Sequence, residues 1–158
     1  MTDDDPAAVH VEQFLAHPAA KVWRALTEPD LLERWLGMPN DIRPVVGHRF
    51  ELLAEPVPAA GFAGGPVACE VLEAEPERKL SIRWGPQWTV TWRLEPEGTG
   101  TRLFLSHEGF DPDDESQRVS RRIMGSGWRS HVPRALARLL DTLPGPPPLP
   151  SGGEPRRR

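Results

Sequence analysis

Histidine is the residue type in this chain best suited to acid–base chemistry, because an imidazole gains or loses a proton near neutral pH. His107 alternates with Leu103 and Leu105 near the end of a predicted strand, so its side chain is expected to face the interior. There it would exchange a proton with a ligand oxygen. The alternative is a histidine bonded to a backbone carbonyl, or one at the rim of a pocket. His107 is therefore the catalytic candidate.

The other reactive groups favour structural roles. Cys69 is the only cysteine, which excludes an internal disulfide, and no activating neighbour is evident, so we predict a small buried side chain. Asp111, Asp113 and Glu115 are spaced as in a calcium loop, but Ser116 stands where such a loop needs glycine. We expect an acidic helix start instead, with no metal and no cofactor. The remaining histidines have no metal-ligand spacing: His10, His17, His48 and His131.

Composition narrows the class of protein. A chain of 158 residues favours one domain with a real core, and a net charge of -4 argues against nucleic-acid binding. The first residues are acidic, unlike a secretory signal, and no apolar run approaches the length of a membrane span, so we predict a cytoplasmic protein. The excess of Arg over Lys, with abundant Ala, Pro and Gly, indicates a bacterial source. The cluster of Arg118, Arg121 and Arg122 would grip an anionic head group or form a solvated helix face.

A long C-terminal helix is the element around which the chain is organised. Apolar residues recur at helical spacing from Trp128 to Leu143, and such an amphipathic helix needs a surface to cover. We predict one helix from Ser116 to Leu143, kinked near Arg129 because Pro133 interrupts it. Two helices that meet near Gly125 are the alternative.

The preceding segments predict a sheet with two short helices. The first strand is expected at residues 9–16, helices begin near Pro18 and Pro29, and residues 55–66 should be a mobile hairpin loop. The later strands are expected at residues 47–54, 67–75, 79–84, 88–95 and 101–108. The domain would span residues 9–143, between an acidic disordered arm at 1–8 and a Pro-rich basic disordered tail at 144–158.

Several motifs are more specific than the order of elements. Residues 18–29 read PAAKVWRALTEP and residues 32–35 read LERW; PERKL at 76–80 and GTRL at 100–103 follow, with Gly127 and Trp128 near the end. This set resembles the START-like, or SRPBCC, superfamily, and within it the family named after the activator of the heat-shock-protein-90 ATPase. The resemblance covers about residues 9–143. The loop before Pro66, Pro133 and the added tail depart from it.

The resemblance implies an α+β helix-grip fold: a curved antiparallel sheet of about six strands around a long C-terminal helix, with two short helices after the first strand. It also implies a cavity between sheet and helix, where superfamily members bind lipids, sterols or polyketides and some catalyse reactions. The eukaryotic member of the founding family instead stimulates a chaperone ATPase through its surface.

The function predicted first is therefore binding of a hydrophobic small molecule between sheet and helix. Co-chaperone-like stimulation of a chaperone ATPase is the alternative, and a cyclase or hydrolase that uses His107 is the second alternative. A chaperone or a second copy of the chain is the protein partner considered. Each large apolar side chain alone is better explained as core, but a curved sheet around one helix often leaves an unfilled centre. The predicted ligand-binding residues are Trp35, Phe50, Val71, Trp84, Trp88, Trp92, Leu105, His107, Phe110, Trp128, Val132 and Leu136.

Overall fold

One antiparallel sheet dominates the computed structural model, which describes residues 5–144. Its strands are Ala8–Leu15 (β1), Arg49–Ala54 (β2), Gly65–Glu75 (β3), Lys79–Trp84 (β4), Trp88–Glu97 (β5) and Gly100–Glu108 (β6). They lie in the order β1-β6-β5-β4-β3-β2, so neighbours after the first are joined by hairpins. The predicted arm and tail fall mainly on residues 1–4 and 145–158, which lie outside the described residues. The strand assigned to begin after the arm starts one residue earlier, at Ala8.

Helices flank the sheet in the predicted order, which confirms the α+β helix-grip fold. The short pair is Ala19–Thr27 (α1) and Pro29–Leu36 (α2); the C-terminal run is Glu115–Ser126 (α3), a π-helical turn Gly127–His131 and Val132–Thr142 (α4). Pro29 is the first residue of α2, where its missing N–H costs no helical hydrogen bond. Pro18 instead caps α1 from outside the helix.

The C-terminal helix is continuous but irregular where the proline was predicted to kink it. Pro133 lies in the first turn of α4, and the π-helical turn immediately before it contains Arg129. In that turn the Val132 N–H donates to the carbonyl of Gly127, five residues back. Because Pro133 has no N–H, the wider turn lets the chain pass it without ending the helix.

The segment predicted as a mobile loop has local structure. A short 3-10 turn, Pro58–Ala60, is closed by an antiparallel bridge between Val57 and Phe62. The Val57 N–H donates to the Phe62 carbonyl at 2.9 Å, and the Phe62 N–H donates back at 3.1 Å. This folded hairpin tip stands beside the end of the sheet and becomes one wall of the cavity described below.

Indole rings join the sheet to the helices in the centre of the core. The Trp128 ring meets those of Trp84 and Trp92 edge-on, with centroids 6.2 Å apart in both cases. Trp35 of α2 meets Trp92 edge-on at 6.4 Å, and its Nε1–H donates to the Ala25 carbonyl at 2.8 Å. These rings are at most 4% exposed. Edge-to-face contacts of this kind stabilise beyond the apolar area that they bury.

Candidate functional site

The side chains predicted to bind a ligand divide into three groups. Trp84 and Trp88 line a large cavity at one end of the sheet. A second group surrounds a separate small void that is partly open to the surface: Trp35, Trp92, Leu105, Trp128, Val132 and Leu136. The remaining side chains, which line neither space, are Phe50, Val71, His107 and Phe110. The structure therefore brings most of the predicted set together as a packed layer, and a ligand role for its members stays a prediction.

This small void is the space that the sequence assigned to a ligand, between the sheet and Trp128. Its volume is about 20 Å³, room for roughly one water. Trp92 and Leu105 of the sheet, Trp35 of α2 and Leu136 of α4 close it from several sides. An organic ligand would have to displace these side chains, so the void is best described as a packing defect of the core.

His107 is fully buried within a cage of aromatic rings. Its Nδ1 accepts a hydrogen bond from the Trp128 indole N–H at 2.9 Å. The ring of Phe110 stacks on it at a centroid distance of 4.5 Å, and that of Trp88 meets it edge-on at 4.7 Å. Since an indole N–H can only donate, the neutral histidine carries its proton on Nε2, which has no hydrogen-bond partner within residues 5–144. Burial lowers the pKa of His107 to about 3.

Cys69 is buried on the inner face of β3, as predicted, and burial raises the pKa of its thiol to about 11. Because only a thiolate attacks disulfide reagents, we expect the native protein not to react with Ellman's reagent at pH 7.5 over an hour. In guanidinium chloride the same chain should release one equivalent of the coloured thiolate, since Cys69 is its only cysteine. Rapid labelling without denaturant would contradict this placement.

The large cavity has a volume of about 440 Å³ and opens at one end of the sheet. The hairpin tip with its flanking residues, 54–67, forms one wall, and α3 forms another. The turn between β4 and β5, residues 84–88, and residues 36–38 at the end of α2 complete the lining. The apolar side chains that line it are Leu36, Met38, Val57, Phe62, Val67, Trp84, Trp88, Ile123 and Met124.

Polar groups are few in this cavity and are concentrated on one side. The Gln117 side-chain oxygen accepts the Trp88 indole N–H at 2.9 Å and the Gln87 amide N–H at 3.3 Å. Gln87 also donates to the Gly109 carbonyl at 3.1 Å, which ties the turn of residues 84–88 to the end of β6. Ser120 lies one turn after Gln117 on α3 and is buried. The site can thus hold an apolar molecule and offer hydrogen bonds at one edge.

Sequence reasoning missed Gln117 and Ser120. Both are polar residues in the first half of the C-terminal helix, where we considered only the arginines, as an anion site or as a solvated face. A signal was present, because residues 117, 120, 124 and 128 follow helical spacing and so continue the stripe that holds Trp128. The hairpin tip was missed as well, since nothing in its Pro-, Ala- and Gly-rich composition indicates a wall.

The acidic segment before α3 caps the helix. Asp114 accepts the Ser116 backbone N–H at 2.9 Å and its hydroxyl at 2.8 Å. Hydrogen bonds from the Ser116 hydroxyl, and then from the backbone, lower the pKa of Asp114 below its usual range. Among residues 5–144, no group of three or more His, Cys, Asp or Glu side chains is placed to hold a metal ion.

A six-stranded antiparallel sheet that grips a long C-terminal helix, with an apolar cavity at one end, defines a helix-grip protein of the START-like class. The chain belongs to the family described as activator of Hsp90 ATPase homolog 1-like protein, whose family model matches residues 16–141. No curated protein matches the chain at a significant level.

Solved structures of bacterial proteins share this fold. The protein MLL2253 from Mesorhizobium loti is 38% identical, with a TM-score of 0.74; the match covers 87% of this chain and 98% of that one. BH1534 from Bacillus halodurans is 28% identical, with a TM-score of 0.69 and coverage of 84% and 96%. CalU16 from Micromonospora echinospora is 28% identical, with a TM-score of 0.63 and coverage of 85% and 76%. The chain is thus similar to these proteins over most of its length.

Hydropathy gives a separate result. Within residues 5–144, no helix combines the length and the apolar character needed to cross a membrane.

Proposed function

We propose that this protein binds a hydrophobic small molecule in the cavity between α3, the turn of residues 84–88 and the hairpin tip. The observation that carries the proposal is an open apolar space of about 440 Å³, within the range of small-molecule sites. Binding in such a space would bury ligand surface against Trp84, Trp88 and Phe62 and stabilise the complex by the hydrophobic effect. Proteins of the superfamily bind hydrophobic ligands or act as polyketide cyclases, which supports the same class of ligand.

The enzyme alternative has little support in the arrangement of ionisable groups. His107 is 0% exposed and does not line the cavity, so it cannot exchange a proton with a molecule bound there. Within the described part of the chain, Glu55 is the only ionisable side chain that lines the cavity, and it is exposed. One exposed carboxyl and no histidine within the described lining give this alternative little to work with.

The chaperone alternative concerns the surface and stays a prediction, as does a homodimer. An ATPase assay with the chaperone of the source cell, with and without this protein, checks it independently of the cavity.

Filling the cavity is expected to weaken ligand binding while the fold is retained. Val67 is half-buried and lines the cavity from β3. In the variant Val67→Phe the larger ring would occupy ligand space, so affinity should fall about tenfold or more. Titrations with fatty acids, sterols and neutral polycyclic aromatics, monitored by tryptophan fluorescence, measure the dissociation constants.

The matched control is Val46→Phe. Val46 is 63% exposed in the loop before β2 and does not line the cavity, so this variant should bind as the original protein does. Circular dichroism checks that both variants are folded. Equal affinities for Val67→Phe and the original protein, or no binding of any compound by the original protein, would overturn the proposal.

A further inference from the structure

We propose that the ligand is an uncharged molecule that carries a hydrogen-bond acceptor, such as a ketone, and that Gln117 and Ser120 of α3 recognise this acceptor. This inference rests on the proposed function, since it concerns the same cavity. It adds the chemical class of the ligand and the residues that determine specificity.

The Trp88 indole determines which way the Gln117 amide is turned. An indole N–H can donate but not accept, and it lies 2.9 Å from the Gln117 oxygen. The Gln87 amide N–H donates to the same oxygen at 3.3 Å. With its oxygen held by two donors, Gln117 has its NH2 group left over, and this group has no partner within residues 5–144. Gln117 lines the cavity, so we infer that this NH2 group is available to a bound acceptor.

Ser120 supplies a second donor beside the first. Its side chain is 9% exposed and lines the cavity, and its hydroxyl has no hydrogen-bond partner among the described residues. Residues three apart on a helix are neighbours on one face. A carbonyl oxygen has two lone pairs, so one ligand ketone would accept from both Gln117 and Ser120.

The charges of the lining disfavour an anionic ligand group. Among residues 5–144, those that line the cavity include no Arg, Lys or His, and their one ionisable side chain, Glu55, is itself an acid. A carboxylate taken into this space would lose its hydration without gaining a cationic partner, which is costly. A fatty acid bound through its carboxylate therefore fits poorly. A neutral ketone has a small desolvation cost, and hydrogen bonds from the two donors offset it.

A matched set of planar tricyclic probes tests this assignment. 9-Fluorenone carries a ketone, fluorene has the same ring frame without it, and 9-fluorenone-2-carboxylate adds an anion. We expect the original protein to bind 9-fluorenone about tenfold more tightly than fluorene, the effect of two neutral hydrogen bonds in an apolar site. The carboxylate should bind about tenfold more weakly than 9-fluorenone. Titrations at pH 8 with a tryptophan fluorescence readout give the dissociation constants.

Two variants assign the effect to residues. Gln117→Glu keeps an oxygen for the Trp88 N–H and replaces the NH2 donor by a second acceptor. It should lower the affinity for 9-fluorenone about tenfold, leave fluorene unchanged and favour 9-fluorenol, which can donate. Ser120→Ala should lower the affinity for 9-fluorenone about threefold. Ser126→Ala is the control, because Ser126 is exposed on α3 away from the cavity.

The outcomes separate this inference from the proposed function. If fluorene binds as tightly as 9-fluorenone, or if Gln117→Glu leaves their ratio unchanged, the assignment is overturned while ligand binding stands. Tighter binding of the carboxylate would overturn it as well. If none of the probes binds and the sterol and fatty-acid titrations are also negative, the proposed function itself fails.

Discussion

Acidification is expected to destabilise this protein through one residue, His107. Between pH 7.5 and pH 4.5 the free energy of unfolding should fall by roughly 2 to 3 kcal/mol from this histidine alone. The physical reason is its surroundings: the rings of Trp84, Trp88, Phe110 and Trp128 enclose it, and none of them carries a charge.

The direction of the effect follows from the pKa in each state. In the unfolded chain His107 has its ordinary pKa of 6.5, whereas burial lowers the pKa to about 3 in the folded protein. Below pH 6.5 the unfolded state therefore binds a proton that the folded state excludes, and stability falls with pH until about pH 3. Protonation of the folded protein would also convert Nδ1 from an acceptor into a donor that faces the Trp128 N–H.

The variant His107→Asn isolates this contribution, because asparagine does not titrate and its side-chain oxygen can accept the Trp128 N–H. We expect it to be less stable than the original protein at pH 7.5, since the smaller side chain leaves a cavity. Between pH 7.5 and 4.5 its stability should fall less, by the roughly 2 to 3 kcal/mol that His107 supplies. Urea unfolding at several pH values measures both quantities.

The control for this experiment is His10→Asn. His10 is exposed and forms a hydrogen bond with the Ser106 hydroxyl on the opposite face of the sheet. The His10→Asn variant should therefore lose as much free energy of unfolding between pH 7.5 and 4.5 as the original protein does. Carboxyl groups titrate in all three proteins and cancel in the comparison. An unchanged pH dependence in His107→Asn would contradict the assignment of a neutral, buried histidine.

Residue spacing was enough to predict the elements of the fold. Alternation in Leu80, Ile82 and Trp84 marks an inner strand face, and all three are buried. Pro133 predicted an irregularity near Arg129, and the structure has a π-helical turn there. These features depend on local chain geometry, which sequence periodicity records directly.

The position of the cavity could not be predicted in the same way. Alternation places Trp92 on the inner face of the sheet, and helical spacing places Trp35 and Trp128 on apolar helix faces, but neither pattern shows whether these rings fill the space between sheet and helices. The rings and their neighbours fill this space, apart from about 20 Å³. The open space lies instead beside the hairpin tip, where its existence depends on how residues 54–67 fold against α3. Packing volume is a property of the assembled core and leaves no local pattern in the sequence.

Trp128 belongs to the packed core and does not line the large cavity. Its removal should have the largest effect on stability. Trp128→Ala is expected to lower the free energy of unfolding by about 5 kcal/mol, the cost of deleting a buried indole together with the loss of its hydrogen bond to His107. A loss of this size is comparable to the whole stability of many domains. The variant should therefore be largely unfolded at 37 °C or show a strongly lowered Tm.

Trp128→Phe separates the two parts of that loss and tests the position of the site. A smaller aromatic ring remains but the N–H is gone, so we expect a loss of about 2 to 3 kcal/mol, from the unpaired Nδ1 of His107 and from the space that the smaller ring leaves. Trp128 does not line the large cavity, so the affinity for 9-fluorenone should be unchanged.

Trp88→Phe makes the same change at a residue that does line the cavity and that holds Gln117 in place. There the affinity should fall while the stability changes less, because Trp88 is only half-buried. If Trp128→Phe instead impaired binding and Trp88→Phe did not, the ligand would have to enter the packed centre of the sheet, where the sequence first placed it.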